Sequence, residues 1–214
     1  MAVLIITFAI INDQRFFKVL PTIVSLIVML LSARANRYTF LIGGCNSALY
    51  GIVYFSEGVY FAAISALFVS FPMQIFSFIN WKKHSKDKFG TQLKRLPPRW
   101  LILLPALMIP AWLGAYYGLS AFISGHYPKI DSLAFVLGLL VTILSMLRFI
   151  ESQYINLIAC SINIVLWILI SIESPNNINF VFISIYNFIM VSESVVVWTK
   201  KYISQKKTEN ISVK

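Results

Sequence analysis

Apolar residues run along this chain in long unbroken stretches rather than alternating, and short polar segments separate them. Seven stretches approach the ~20 residues a helix needs to cross a hydrocarbon core. They are about 16–34, 38–56, 59–80, 100–122, 132–148, 154–172 and 179–199. Continuous runs exclude a membrane β-barrel, whose strands alternate. The pattern predicts an all-α integral membrane protein with seven transmembrane helices. Residues 1–15 are also largely apolar but lack a basic start and a small-residue cleavage site. They read as an interfacial or re-entrant N-terminal lead-in, not a signal peptide.

Composition narrows the class. Hydrophobic residues make up 58% of the chain and charged residues 12%, with a mean hydropathy of +0.78. A soluble domain carries about a quarter charged residues, so a soluble enzyme, a DNA-binding factor and a secreted disulfide scaffold are excluded. The net charge of +10 does not imply nucleic acid, because the basic residues gather in loops. One side collects fifteen Lys and Arg, at 34–37, 81–99, 148–153 and the C-terminal tail; the other keeps Arg15, Lys18 and Lys129. The positive-inside rule then puts the N-terminus out and the C-terminus in. Glu57, His126, Asp131 and Glu173 fall outside. Trp81, Trp100, Trp198 and Tyr202 mark the inner interface, and Tyr60 and Tyr127 the outer one. Cys45 and Cys160 lie in apolar runs and read as small packing residues.

The chain also repeats itself at an offset of 116 to 117. Arg37-Tyr38 recurs as Gln153-Tyr154, Asn46 as Asn163, Glu57 as Glu173, and Trp81-Lys82-Lys83 as Trp198-Thr199-Lys200. The expected organisation is a first three-helix repeat over 16–80, a basic cytoplasmic loop at 81–99 and a linking helix at 100–122. A second three-helix repeat over 132–199 and a basic cytoplasmic tail at 200–214 follow. Three helices plus one linker return the second repeat to the orientation of the first (3+1+3, parallel repeats). That is a transporter pattern, with substrate expected near the midplane. Pro97-Pro98 stops any helix entering from the loop, Pro72 breaks the third span, and Pro105 and Pro110 bend the linking helix.

Polar side chains in hydrocarbon are costly and face the bundle interior or a wet path. Asn46 follows Gly43-Gly44, Gln74 follows Pro72, and Asn163 precedes Trp167 by one turn. Asn187 and Glu193 lie in the last span beside Tyr186. Amides suit a neutral ligand because each offers donors and an acceptor, while aromatic faces stack on flat rings. The candidate substrate-binding set is Asn46, Gln74, Asn163, Trp167, Tyr186 and Glu193. For Glu193, snorkelling to the inner surface, substrate contact and proton coupling all stay open. No phosphate-binding loop and no HExxH motif occurs. No cofactor or metal is expected, and facilitated diffusion is the simplest mechanism.

Several stretches together resemble the PnuC-type family of bacterial vitamin transporters, known for nicotinamide riboside or nicotinamide mononucleotide. Gly44-Cys45-Asn46-Ser47-Ala48-Leu49-Tyr50-Gly51 resembles the family's second helix. Asp131-Ser132, then Ile143-Leu144 with Arg148 and Glu151, then Asn163 follow at family-like spacing. The resemblance covers about 16–202. It implies a SWEET-like fold and uptake of an unphosphorylated vitamin or riboside into the bacterial cytoplasm, where a kinase traps it. It also implies homotrimers. Residues 78–81 read Phe-Ile-Asn-Trp where the family often has Trp-x-x-Trp, and 153–156 read Gln-Tyr-Ile-Asn where it is commonly Trp-rich. The solute therefore stays open among nicotinamide riboside, other vitamins and nucleosides. A proton-coupled transporter of the same fold and a non-transporting membrane scaffold subunit are the alternatives; an enzyme is not expected.

Overall fold

The computed structural model describes residues 16–56, 65–86, 90–120, 127–173 and 178–212. Glu57, Tyr60, His126 and residues 1–15 lie outside the described residues. Among the described residues seven α-helices follow one another: α1 Phe16–Ala33, α2 Tyr38–Ser56, α3 Phe71–Lys83, α4 Pro98–Ser120, α5 Pro128–Met146, α6 Glu151–Glu173 and α7 Ile178–Ser212. The chain divides into two compact units, Met1–Gln92 and Leu93–Lys214. Among the described residues, four helical stretches are long and apolar enough to cross a membrane: Pro98–Gly118, Pro128–Met146, Glu151–Glu173 and Val181–Thr208. Leu20–Ala33 is a shorter apolar helix.

In the first unit, α1 closes with a left-handed residue, Ala35 at φ 49°. The Ala35 N–H donates to Ser32 O at 3.0 Å and the Asn36 N–H to Leu31 O at 3.1 Å. This is the Schellman arrangement, which satisfies the last carbonyls of a helix. Asn36 then opens α2 by accepting the Tyr38 N–H on Oδ1 at 3.0 Å, as an N-cap does. The Thr39 hydroxyl donates to Val28 O at 2.9 Å and ties α2 to α1. A π-helical stretch, Ser65–Ser70, precedes α3, and Pro72 sits at its start. The proline ring is incompatible with a regular α-turn before it, and the wider π turn removes that conflict.

The expected basic loop is more ordered than its charge suggested. After α3, strand β1 (Ser85–Lys86) pairs antiparallel with β2 (Gly90–Thr91). Trp81 is fully buried with its ring 4.8 Å from Phe40, and Trp198 is 1% exposed. The placement of these two indoles at a headgroup belt is therefore corrected. An indole near a helix end fits an interface or a helix–helix seam equally well by sequence. Trp100 is exposed, as expected of a belt residue.

In the second unit, α4 runs unbroken through Pro105 and Pro110. The Trp112 indole N–H donates to Lys129 O at 3.0 Å, joining α4 to the start of α5. At that same end the Tyr127 hydroxyl donates to the Glu173 carboxylate, which pushes the phenol above its ordinary range. The α5–α6 turn repeats the α1–α2 geometry. Arg148 has φ 69°, its N–H donates to Ser145 O, and the Phe149 N–H donates to Leu144 O, both at 3.0 Å.

Residues 93–97 form a strap across the Arg148 end of this unit. The Lys94 N–H donates to Arg148 O and the Ile150 N–H returns to Lys94 O. The Leu96 N–H donates to Glu151 Oε2 and the Leu93 N–H to Gln205 Oε1, each at 3.0 Å. Gln205 lies in the segment expected as the basic tail, which is helical as an extension of α7 to Ser212. At 35 residues, α7 is about 50 Å long, well beyond the ~30 Å hydrocarbon core. Its lysine-bearing last turns therefore stand outside the hydrocarbon.

Candidate functional site

The polar residues singled out by sequence fall into two clusters, one in each unit. In the first, Asn46 of α2 is 6% exposed. Its Nδ2 donates to Ser25 Oγ of α1 at 2.9 Å. That hydroxyl donates onward to Pro21 O at 2.9 Å and lies 3.4 Å from the Tyr50 hydroxyl. The amide is held by its donor end. Its Oδ1 is buried and has no hydrogen-bond partner among the described residues. A buried carbonyl left unpaired costs about 1–3 kcal/mol, so such an acceptor points to a role beyond packing.

Glycine makes room beside it. A Cβ at Gly43 would stand 3.3 Å from Gln74 Oε1, and one at Gly44 would stand 3.4 Å from Gln74 Cβ. The Gln74 side chain therefore lies directly on the α2 backbone, one turn from Asn46. Further along, a Cβ at Gly51 would come within 2.6 Å of Leu67 Cγ. Gly44 and Gly51 thus form a small-residue seam that lets the third helical segment approach α2, as membrane helix pairs do. The structure thus packs Gln74 on the α2 backbone one turn before Asn46, and it joins Asn46 to Ser25 and, through that hydroxyl, to Tyr50. Ser25 was missed because one hydroxyl in an apolar run looks like a satisfied residue bonding its own helix. It makes that bond and accepts from Asn46 as well.

The second cluster lies along α6 and α7. Asn163 is half-buried and its Nδ2 donates to Ala159 O of its own helix at 3.0 Å. Trp167 follows one turn later, half-buried. The Asn187 amide on α7 donates to Cys160 Sγ at 3.3 Å, and the thiol lies 3.8 Å from Asn156 Oδ1. Cys160 is thus a packed residue, 2% exposed, that also bridges two amides. Tyr186, next to Asn187, is half-buried, whereas Glu193 is exposed on α7. That placement supports the snorkelling reading of Glu193 rather than its inclusion among the interior polar residues.

The local geometry refines the repeat. Asn46 follows the left-handed Ala35 by eleven positions, and the residue eleven positions after left-handed Arg148 is Ala159. The third-helix pairs Ser77 with Ser194 and Trp81 with Trp198 keep the longer offset of 117, and all four are buried. The difference of four residues matches the lengths of α2 and α6, 19 against 23 residues, and is about one helical turn. Asn163 stands one turn beyond the position matching Asn46, on the same helix face, and its amide reaches back to the Ala159 carbonyl.

Among the described residues no group of three or more His, Cys, Asp or Glu side chains is placed to hold a metal ion. The arrangement is instead one of amides, hydroxyls and aromatic rings on apolar helices, suited to a neutral hydrogen-bonding solute. No curated protein matches the sequence. A crystal structure described as the vitamin B3 transporter PnuC shares the fold, with a TM-score of 0.74 at 16% identity, covering 95% of this chain and 88% of that one. Residues 15–200 match the sequence model for nicotinamide mononucleotide transporters. A match of that extent, on a helical membrane fold with two interior amide clusters, places this chain in the nicotinamide mononucleotide transporter family, whose members are membrane transporters and not enzymes.

Proposed function

We propose that the protein carries nicotinamide riboside, or a related vitamin or nucleoside-like solute, by facilitated diffusion. The family's described solute and that of the structural relative support the substrate class. The observation that carries the site is the buried, unpartnered Oδ1 of Asn46 on α2, the helix against whose backbone Gln74 packs one turn away. A sugar hydroxyl or a carboxamide N–H supplies the donor that this oxygen lacks. Asn163, Trp167 and Tyr186 are the proposed contributors from the second unit, an amide with two aromatic faces. An unpaired interior acceptor favours a neutral donor over a phosphate, so the unphosphorylated form is the proposed cargo. Phosphorylation by a cytoplasmic kinase would then trap it.

The proposed location is the bacterial cytoplasmic membrane, N-terminus out and C-terminus in. Lys82, Lys83, Lys94, Arg95 and the lysines of late α7 are the inner charges. A homotrimer is the proposed assembly, by likeness to the family.

Proteoliposomes containing purified protein test this reading. Labelled nicotinamide riboside should equilibrate across the bilayer, with competition by its chemical relatives, and neither nicotinamide mononucleotide nor an imposed proton gradient should match that effect. Flux that needs the proton gradient would establish the coupled alternative. No flux of any vitamin or nucleoside would establish the scaffold alternative.

A further inference from the structure

The second unit holds a cavity of about 370 Å³ at its strap end, its nearest α6 lining residue, Ile155, lying about two helical turns before Asn163. Ile150, Ile155 and Ile203 form its apolar walls together with the rings of Tyr154 and Tyr202. The Tyr154 hydroxyl is already paired with Thr199 Oγ1 at 2.7 Å, so the interior offers little to a polar ligand. The cavity opens sideways, since Tyr154 is 43% exposed and Ile203 59%. From Tyr154 an exposed track continues along one face of α6 through Ile158 and Val165. These residues are four and seven positions apart, the spacing of one helical face.

The mouth is basic. Arg95 Nε faces Glu151 Oε1 at 3.6 Å, and the Arg95 side chain is 70% exposed. The side chain is thus open to the surroundings, and a guanidinium matches phosphate geometry. Lys206 is exposed one turn beyond Tyr202 on the same face of α7. Glu151 lines the cavity too, but its second oxygen accepts the Leu96 N–H. Two cations, Arg95 and Lys206, against this one carboxylate leave the mouth net positive, which favours an anionic headgroup over a zwitterionic one.

We propose that this cavity seats an acyl chain of an anionic phospholipid, whose phosphate is held by Arg95 and Lys206. A free phosphate would use the cations but not the apolar track; a zwitterionic lipid would use the track but brings no net negative charge to the cations. Basic pockets between membrane helices bind anionic headgroups on this principle. Assignment to the inner leaflet rests on the orientation proposed above; binding itself does not.

The test uses the full chain, purified and delipidated in neutral detergent. Native mass spectrometry measures retention of phosphatidylglycerol, phosphatidylcholine with identical chains, and glycerol phosphate. Phosphatidylglycerol should be retained about fivefold or more over phosphatidylcholine, and glycerol phosphate should not be retained. The preference should vanish in Arg95→Gln/Lys206→Gln and survive in Arg95→Lys. Ile203→Trp, at an exposed wall position, should lower retention of both lipids while its melting temperature stays near that of the parent. Equal retention of the two lipids, a preference that persists in the double variant, or tight binding of glycerol phosphate alone would each overturn the proposal. In intact cells, labelling of Lys206→Cys by an impermeant maleimide from outside would overturn the leaflet assignment and the orientation, while leaving the detergent result to stand by itself.

Discussion

Leu93 and Gln205 are 112 positions apart and share a buried hydrogen bond, main-chain N–H to side-chain Oε1, at 3.0 Å. This contact explains why α7 continues as helix well past the hydrocarbon: its extension carries the acceptor that anchors the strap. Gln205→Leu leaves the Leu93 N–H buried and unpaired, a cost of about 1–3 kcal/mol. The melting temperature in detergent should fall accordingly. Lys206→Gln and Lys207→Gln, at exposed positions on the same turn, should leave it unchanged. A chain ending after Lys207 should melt like the parent, and one ending before Gln205 should melt early.

Ser77 and Ser194 occupy matching positions one turn before a buried tryptophan, yet their hydroxyls do different things. The Ser77 hydroxyl donates to Met73 O of its own helix at 2.7 Å. That of Ser194 donates to Gln153 Oε1 on α6 at 2.8 Å, and Gln153 is itself 2% exposed. Ser194→Ala strands a buried amide oxygen and should cost about 1–3 kcal/mol. Ser77→Ala removes only a bond to the local backbone and should cost no more than about 1 kcal/mol. Equal melting temperatures for the two variants would contradict the assigned partners.

The helices were legible in sequence because ~20 consecutive apolar residues leave a chain few other options. Six of the seven starts fall within four residues of the expected spans, and α3 begins after the described π stretch. The strap was not legible. Its bonds use main-chain groups of residues 93–96 and side chains 55 and 112 positions away, and no local pattern encodes such pairings. The candidate site was legible in part. A midspan amide is visible as a polar residue in an apolar run, so Asn46 and Gln74 stand out. Ser25 and Cys160 do not, because a hydroxyl or thiol in such a run is ordinarily satisfied by its own helix. The offset of 117 is kept by buried Trp81 and Trp198 but differs by one turn at the Ala35 and Arg148 turns, where the shared feature is backbone geometry rather than residue type.

Gly51 tests the helix seam. In a helix, Gly→Ala ordinarily stabilises by up to about 1 kcal/mol. At Gly114 and Gly118 no atom lies within 4 Å of the added methyl, and that gain should appear in full. At Gly51 the methyl would meet Leu67 Cγ at 2.6 Å, and overpacking costs about 1–3 kcal/mol. Gly51→Ala should therefore lower the melting temperature while Gly114→Ala and Gly118→Ala raise it. Recovery of stability in Gly51→Ala/Leu67→Ala would identify the contact responsible.

Asn46 separates a binding role from a packing role. A structural amide with both ends paired would cost stability when truncated, because its partners lose their bonds. Asn46 has only its donor end paired, and Ser25 keeps its bond to Pro21 O when the amide is gone. Asn46→Ala should thus change the melting temperature little. The half-saturating solute concentration should rise about 3- to 10-fold, the loss expected for one neutral hydrogen bond. Ser25→Ala removes the group that orients the amide and should give a smaller rise, restored by Ser25→Thr. Adding Asn163→Ala to Asn46→Ala should bring uptake close to that of empty liposomes. Uptake that is unchanged in the double variant would place the solute elsewhere in the protein, and a large loss of stability in Asn46→Ala with normal affinity would return Asn46 to a purely structural role.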